Sequence, residues 1–334
     1  MHPIDIFSVW GGCLVRIKTL FCINLLFLGA VSSAFAGVST IDFSEIYNDK
    51  FQYFLPKEKM HLWLSGRGFE NQDLYSEAEI KIVVELAYRL RRTVDLAKTF
   101  KCGVFTAGAP GAGKTVLLEG IIAKEGKAYV YIDPVDQLKL LYKQLIAQGM
   151  LNPELLLDPK AKKNLYDKWR SAANFIVHWG MAHAAYQGKP FYCATTSTSE
   201  DTPSYYRYFK NHGYELEVIH VTASKQVCIR SIMERDGVFY QTSSKDIEAK
   251  GKAIFDRIKD TFFIFPDKVS FYWRAEFNGN ATLAGVWVKQ DNKMQVESSD
   301  ALNAVKKSHG EKWPKEIKEV TKSGQPDKKM KEEV

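Results

Sequence analysis

Gly108-Ala109-Pro110-Gly111-Ala112-Gly113-Lys114-Thr115 is the stretch that decides the fold. It fits the P-loop pattern G-x-x-x-x-G-K-[ST], and each fixed position has a physical reason. Glycines let successive backbone N–H groups turn inward around phosphate oxygens, Lys114 reaches the β and γ positions, and the Thr115 hydroxyl is placed to ligate Mg²⁺. Directly before it, Cys102 to Ala107 reads as a buried strand, and from Thr115 to Ala123 the chain reads as a helix of strong formers. The N-terminal dipole of that helix adds to the attraction for anions. Strand, glycine loop and helix in this order imply a bound nucleoside triphosphate, ATP or GTP, with Mg²⁺.

Outward from the loop, strands and helices alternate. Ser76 and Glu79 spell a capping box that opens a helix with Ile80, Val83, Val84, Ala87 and Leu90 on one face, running to about Lys98. After the loop come a strand over Ala128 to Asp133, a helix over Val135 to Gln148, and breaks at Asn152-Pro153 and Asp158-Pro159. A long helix over Lys160 to Tyr186 leads to a third strand at Phe191 to Ala194, which exits into the hydroxyl-rich loop Thr195 to Glu200. Helix Pro203 to His212, strand Tyr214 to Val221, helices Ser224 to Arg235 and Lys245 to Phe262, and strand Val269 to Trp273 come next. This alternation predicts an α/β P-loop fold: a mostly parallel five-stranded sheet with helices on both faces, and ligands beyond the carboxyl ends of the strands. The expected organisation is residues 1–36 as leader, 37–100 as irregular and helical extension, 101–275 as the P-loop domain, 276–304 as a C-terminal hairpin region around Asn278-Gly279, and 305–334 as a charged flexible tail.

In the leader, Arg16 and Lys18 precede the uncharged apolar stretch Leu20 to Val31, and Ala34-Phe-Ala36 closes it before Gly37. That order reads as a signal peptide, with an uncleaved membrane anchor as the alternative; either places the chain from Gly37 onward across the inner membrane. An exported, periplasmic or host-delivered protein is the expectation, and a host compartment would supply the nucleotide. The net charge of +7 is modest and owes much to lysines after Ala304, so there is no strong nucleic-acid signal and membrane contact is expected only through the leader. Cys102, Cys193 and Cys228 lack metal-ligand spacing and read as core residues, as do Trp169 and Trp179. His178 and His183 stand five apart and form no ligand pair.

Phosphoryl transfer needs positioned phosphates, a metal, a base for the acceptor hydroxyl and cations for developing charge. Lys114 and Thr115 serve the first two. Asp133, at a strand end, takes the acceptor proton or helps hold the metal, and before Pro134 it also suits a helix N-cap. Asp136 competes for the same task from the first turn of the next helix. Arg235 ends the helix after the fourth strand, where Asp236-Gly237 breaks it, and is read as the charge-stabilising cation. Thr195 and Thr196 are read as acceptor-side residues. The acceptor is a small-molecule hydroxyl.

This order of motifs resembles the zeta toxin family of P-loop kinases over about Cys102 to Trp273. The resemblance rests on Gly108 to Thr115, on Ile132-Asp-Pro-Val-Asp136, on Ala194-Thr-Thr196 and on Met233-Glu-Arg235, and it extends to Lys168 to Asn174, Asp246 to Lys250 and Phe255 to Ile258. It implies ATP-dependent phosphorylation of a sugar nucleotide such as UDP-N-acetylglucosamine, and an inhibitory protein partner. Where the family places its catalytic Asp this chain has Val135, so Asp133 or Asp136 must substitute; an acidic residue before Thr195 and a second lid Arg near Tyr240 have no match. These departures keep a second reading open, an exported nucleotide-binding module or pseudokinase that acts on a protein partner. A nucleic-acid NTPase is the weakest reading, given the modest charge.

Overall fold

The computed structural model describes residues 75–236 and 244–321, all within the unit Val38–Val334. The leader, the extension up to residue 74, Gly237, Tyr240 and residues 322–334 lie outside the described residues.

Helix α1 (Glu77–Asp95) opens with the expected capping box: the Ser76 hydroxyl accepts from the Glu79 N–H, and the Glu79 carboxylate accepts from the Ser76 N–H at 2.8 Å. The chain continues as β1 (Cys102–Ala107), α2 (Lys114–Glu125), β2 (Val130–Ile132), α3 (Pro134–Ala147), α4 (Pro159–Gln187), β3 (Phe191–Cys193), α5 (Thr202–Asn211), β4 (Glu215–Ala223) and α6 (Lys225–Asp236). It then forms α7 (Ser244–Arg257), a π-helical turn at Ile258–Phe262, β5 (Lys268–Arg274), β6 (Thr282–Val288), β7 (Lys293–Val296), α8 (Ser299–His309) and β8 (Lys318–Thr321).

The described strands make one sheet in the order β2-β3-β1-β4-β5-β6-β7-β8. The first five are parallel, as the alternation predicts. The count of five is corrected to eight. β5 to β6 and β6 to β7 are antiparallel, so Asn278-Gly279 lies in the first of two reversals and the second falls between Val288 and Lys293. β8 returns parallel to β7 after the crossover through α8. The tail expected from residue 305 is therefore helix to His309 and strand at Lys318–Thr321; a lysine-rich composition conceals the apolar row Ala301, Leu302, Val305 that seats α8.

The central strand is buried on both faces, and its residues divide by the period of two. Phe105 and Ala107 join the larger core under α1, α3, α4 and α5, whereas Cys102 and Val104 join a smaller one with Leu118 of α2, Cys228 and Ile232 of α6 and Ile247 of α7. Cys102, Cys193 and Cys228 are buried free thiols, and Trp169 and Trp179 are core residues. His183 is a packing residue, its Nε2 2.6 Å from the Asp95 carboxylate of α1. The arrangement sends the carboxyl ends of β1, β2, β4 and β5 to one side, where the glycine loop sits.

Candidate active site

Between β1 and α2 the backbone takes positive φ at Gly108 (+133°), Gly111 (+79°) and Gly113 (+96°). The first two glycines are also sterically required: a Cβ at Gly108 would collide with the Val221 carbonyl of β4, and one at Gly111 with the Cys228 carbonyl of α6. The loop is thus wedged between two elements that lie more than a hundred residues downstream.

Its other flank is sewn to the exit of β3. The Thr106 hydroxyl donates to the Thr195 carbonyl at 2.7 Å and accepts from the Thr195 N–H at 2.9 Å, while the Gly108 N–H donates to the Thr196 carbonyl at 3.0 Å. Ser197, buried with φ +49°, donates its hydroxyl to the Thr106 carbonyl at 2.8 Å and lies 3.1 Å from the Tyr206 hydroxyl. The Thr196 hydroxyl pairs with that of Thr198. Thr195 and Thr196, expected on the acceptor side, brace the start of the glycine loop and are not among the residues that line this cleft.

A cleft of about 480 Å³ opens over the loop and α2, and Lys114, Thr115, Asp133, Asp136 and Arg235 all line it. The Lys114 ammonium folds back to donate to the Ala109 carbonyl at 2.9 Å. Burial pulls its pKa down to about 7, with Arg235 and Lys250 pushing the same way. Thr115 stands exposed in the first turn of α2. Asp133 is buried and caps α3: one carboxylate oxygen accepts from the Val135 N–H at 2.6 Å, the other from the Tyr131 hydroxyl at 2.9 Å. Burial raises its pKa above the ordinary carboxylate value, and the Asp136 charge adds to this; the two hydrogen bonds and Arg170 oppose. Asp136 is half-exposed, 3.3 Å from the Lys139 ammonium. Val135, the position of the family's Asp, also faces the cleft. A buried, cleft-facing carboxylate with a raised pKa suits a proton acceptor better than a screened one.

Several lining residues are not evident in the sequence, Glu119 and Arg274 among them. Glu119 lies one helical turn beyond Thr115 on α2, a spacing that places it on the same face, and burial followed by Asp136 and Asp133 raises its pKa. Arg274 ends β5 and reaches across to the glycine loop, where its guanidinium donates to the Gly111 carbonyl at 3.2 Å. Its only advance signal is a basic residue at the carboxyl end of a parallel strand.

Residues 95–251 match the model of a family described as Zeta toxin. No curated protein sequence matched the chain. Among solved structures, it is similar to a chain of the PezAT chromosomal toxin-antitoxin system of Streptococcus pneumoniae, at 16% identity and TM-score 0.46 over 60% of this chain and 79% of that one. It is also similar to a chain of the AvrRxo1-ORF1:AvrRxo1-ORF2 structure with ATP, at 14% identity and TM-score 0.45 over 73% of this chain and 75% of that one. A gluconokinase from Sinorhizobium meliloti aligns at 15% identity and TM-score 0.31, over 53% of this chain and 84% of that one.

Proposed function

From the zeta toxin match over residues 95–251, we propose that the protein is a P-loop kinase that moves the γ-phosphoryl group of ATP or GTP to a hydroxyl of a small molecule. The observation that carries this reading is the convergence on one cleft of Lys114 and Thr115 from the start of α2, Asp133 from the exit of β2 and Arg235 from the end of α6. Lys114 leaves the Ala109 carbonyl for the β and γ oxygens. The acceptor oxygen bonds to the γ-phosphorus, the bond from that phosphorus to the β–γ bridging oxygen breaks, the nucleoside diphosphate departs, and Asp133 receives the acceptor proton. Arg235 offsets the charge that spreads over the transferring group. Among the described residues no cluster of three or more His, Cys, Asp or Glu could hold a metal, and an exposed Thr115 that lines the same cleft as Asp133 and Asp136 fits a Mg²⁺ that keeps most of its shell as phosphate oxygens and water. When bound, Mg²⁺ supplies neutralisation of phosphate charge; Thr115 would hold it, with Asp133 or Asp136 in reach.

The acceptor we favour is an alcohol of a sugar nucleotide of the UDP-N-acetylglucosamine kind, on the strength of the family match. The same match supports an inhibitory protein partner, and the order of charges, apolar core and small residues in the leader supports export with a mature N-terminus at Gly37. Val135 favours one competing reading, a nucleotide-binding module without transfer.

Incubating purified protein with Mg²⁺, γ-labelled ATP or GTP, and UDP-N-acetylglucosamine or a metabolite pool decides between them. Label in an alkali-stable alcohol ester, lost in Lys114→Ala and Asp133→Asn, is the expected result. Nucleotide bound without labelled product from any acceptor sinks the kinase and leaves the module.

A further inference from the structure

Arg274 is held in an unusual way for a guanidinium. Its hydrogen bonds run to neutral oxygens: Nε donates to the Gly279 carbonyl at 3.3 Å, one terminal nitrogen to the Gly111 carbonyl at 3.2 Å and the Ser231 hydroxyl at 3.3 Å, and the other to the Phe277 carbonyl. Among the described residues no carboxylate pairs with it. It lies against Gly113, where a Cβ would sit 3.1 Å from its terminal nitrogen, so the glycine that turns the chain into α2 also admits this side chain.

The position lacks an ionised partner although the cleft around it is charged. Arg274 stands at the N-terminus of α2, the positive end of that helix's dipole, and shares the cleft with Lys114 and Arg235. Glu119, Asp133, Asp136 and Glu234 line the same cleft, yet none of them pairs with Arg274, and neutral carbonyls compensate a guanidinium less well than an anion does. A polyanion in the cleft supplies the ionised partner. Arg274 touches the glycine loop through Gly111, α6 through Ser231, and the β5–β6 connection through Phe277 and Gly279, so a change in its partners is felt by all three.

We propose that Arg274 is a phosphate-binding residue of the nucleotide site: when a nucleoside triphosphate enters, its guanidinium exchanges the Gly111 and Ser231 oxygens for phosphate oxygen. The proposal rests on the nucleotide reading of the cleft. Lys114 and Arg235 then act on the phosphate chain with a third cation supplied from the end of β5, on the side of the loop opposite Asp133.

The test is calorimetric titration of the whole protein and of Arg274→Gln and Arg274→Lys with MgATP, MgGTP, inorganic tripolyphosphate and adenosine. Loss of a charge-assisted contact in Arg274→Gln should weaken triphosphate and tripolyphosphate binding on the order of 10- to 100-fold, while adenosine binding stays within about twofold. Arg274→Lys, which keeps the charge and loses the planar fork, should fall between. Wild-type protein that binds neither MgATP nor MgGTP overturns the nucleotide reading itself. Wild-type binding with unchanged affinity in both variants overturns the role of Arg274 alone, and so does an equal loss for adenosine and triphosphate, which is the mark of a purely structural clamp. If Arg274→Gln does not fold, Arg274→Lys with an unchanged Tm decides the matter by the same comparison of triphosphate with adenosine.

Discussion

Asp133 caps α3, and the same contact suits it to the role of base proposed for it. Holding the Val135 N–H fixes the carboxylate at the cleft wall while burial keeps its pKa raised. As the proposed base, Asp133 must be ionised, so activity should fall as pH drops through that raised value, and the acid limb of kcat/KM should lie above the ordinary Asp range. Tyr131→Phe removes a hydrogen bond that favours the ionised form and should move the limb to higher pH; Asp136→Asn removes a repelling charge and should move it lower. Abolished turnover in Asp136→Asn with a working Asp133→Asn would assign the base to Asp136. Lys114 gives a second prediction. With a pKa of about 7 before the ligand arrives, it is partly neutral above that pH, and a triphosphate will restore its charge. MgATP binding near pH 8 should therefore take up protons, visible as a calorimetric enthalpy that varies with the buffer's ionisation heat, and Lys114→Met should abolish the variation. These residues were legible because their meaning is local: a loop pattern, a strand end, a helix end. Arg274 was not, since its reach to Gly111 exists only once β5 lies beside β4, and the bracing role of Thr195 and Thr196 was not, because hydroxyls at a strand exit suit a ligand and a neighbouring strand equally well.

At the scale of elements, the contact between α1 and α4 depends on one missing side chain. Gly180 lies where a Cβ would enter the space of the Leu90 side chain, so a larger residue there must displace Leu90. Gly180→Val should cost roughly 1–3 kcal/mol by overpacking, read from urea denaturation, and Leu90→Ala should cost less in that background than alone. Equal and additive costs would show that the helices do not share this contact. α1 was readable from its capping box and its repeat of buried residues, and β1 to β5 from their runs of apolar residues. β7 and β8 were not, because four-residue strands such as Lys293–Val296 and Lys318–Thr321 carry too few alternations to stand out from a charged background.

For the molecule as a whole, the C-terminal strands are tied to the P-loop sheet by a buried histidine pair. His220 of β4 and His309 at the end of α8 bring their Nε2 atoms to 3.0 Å, which requires one ring to donate and the other to accept. Burial lowers both pKa values, His309 to about 3, with the second ring adding to the effect on His220. A histidine depressed in the folded state binds fewer protons than in the unfolded chain, so stability is present above about pH 6.5 and declines as pH falls from there toward the folded pKa. Thermal unfolding should show Tm falling between about pH 6.5 and about pH 4, and His309→Gln, which offers a partner without a titrating ring, should flatten that fall. An unchanged slope would mean that other groups govern the acid limb. The strand order has a further consequence, in time. Central β1 is flanked by β3 and β4, and the glycine loop rests on the Val221 and Cys228 carbonyls, so its bracing from the exit of β3 can form first but its seat is complete only once β4 and α6 are made. With translation at about 5–20 residues per second, a nascent chain carries its glycine loop without the Val221 and Cys228 supports for on the order of ten seconds before α6 is made. The chain is therefore synthesised past its own nucleotide site before that site can close on anything.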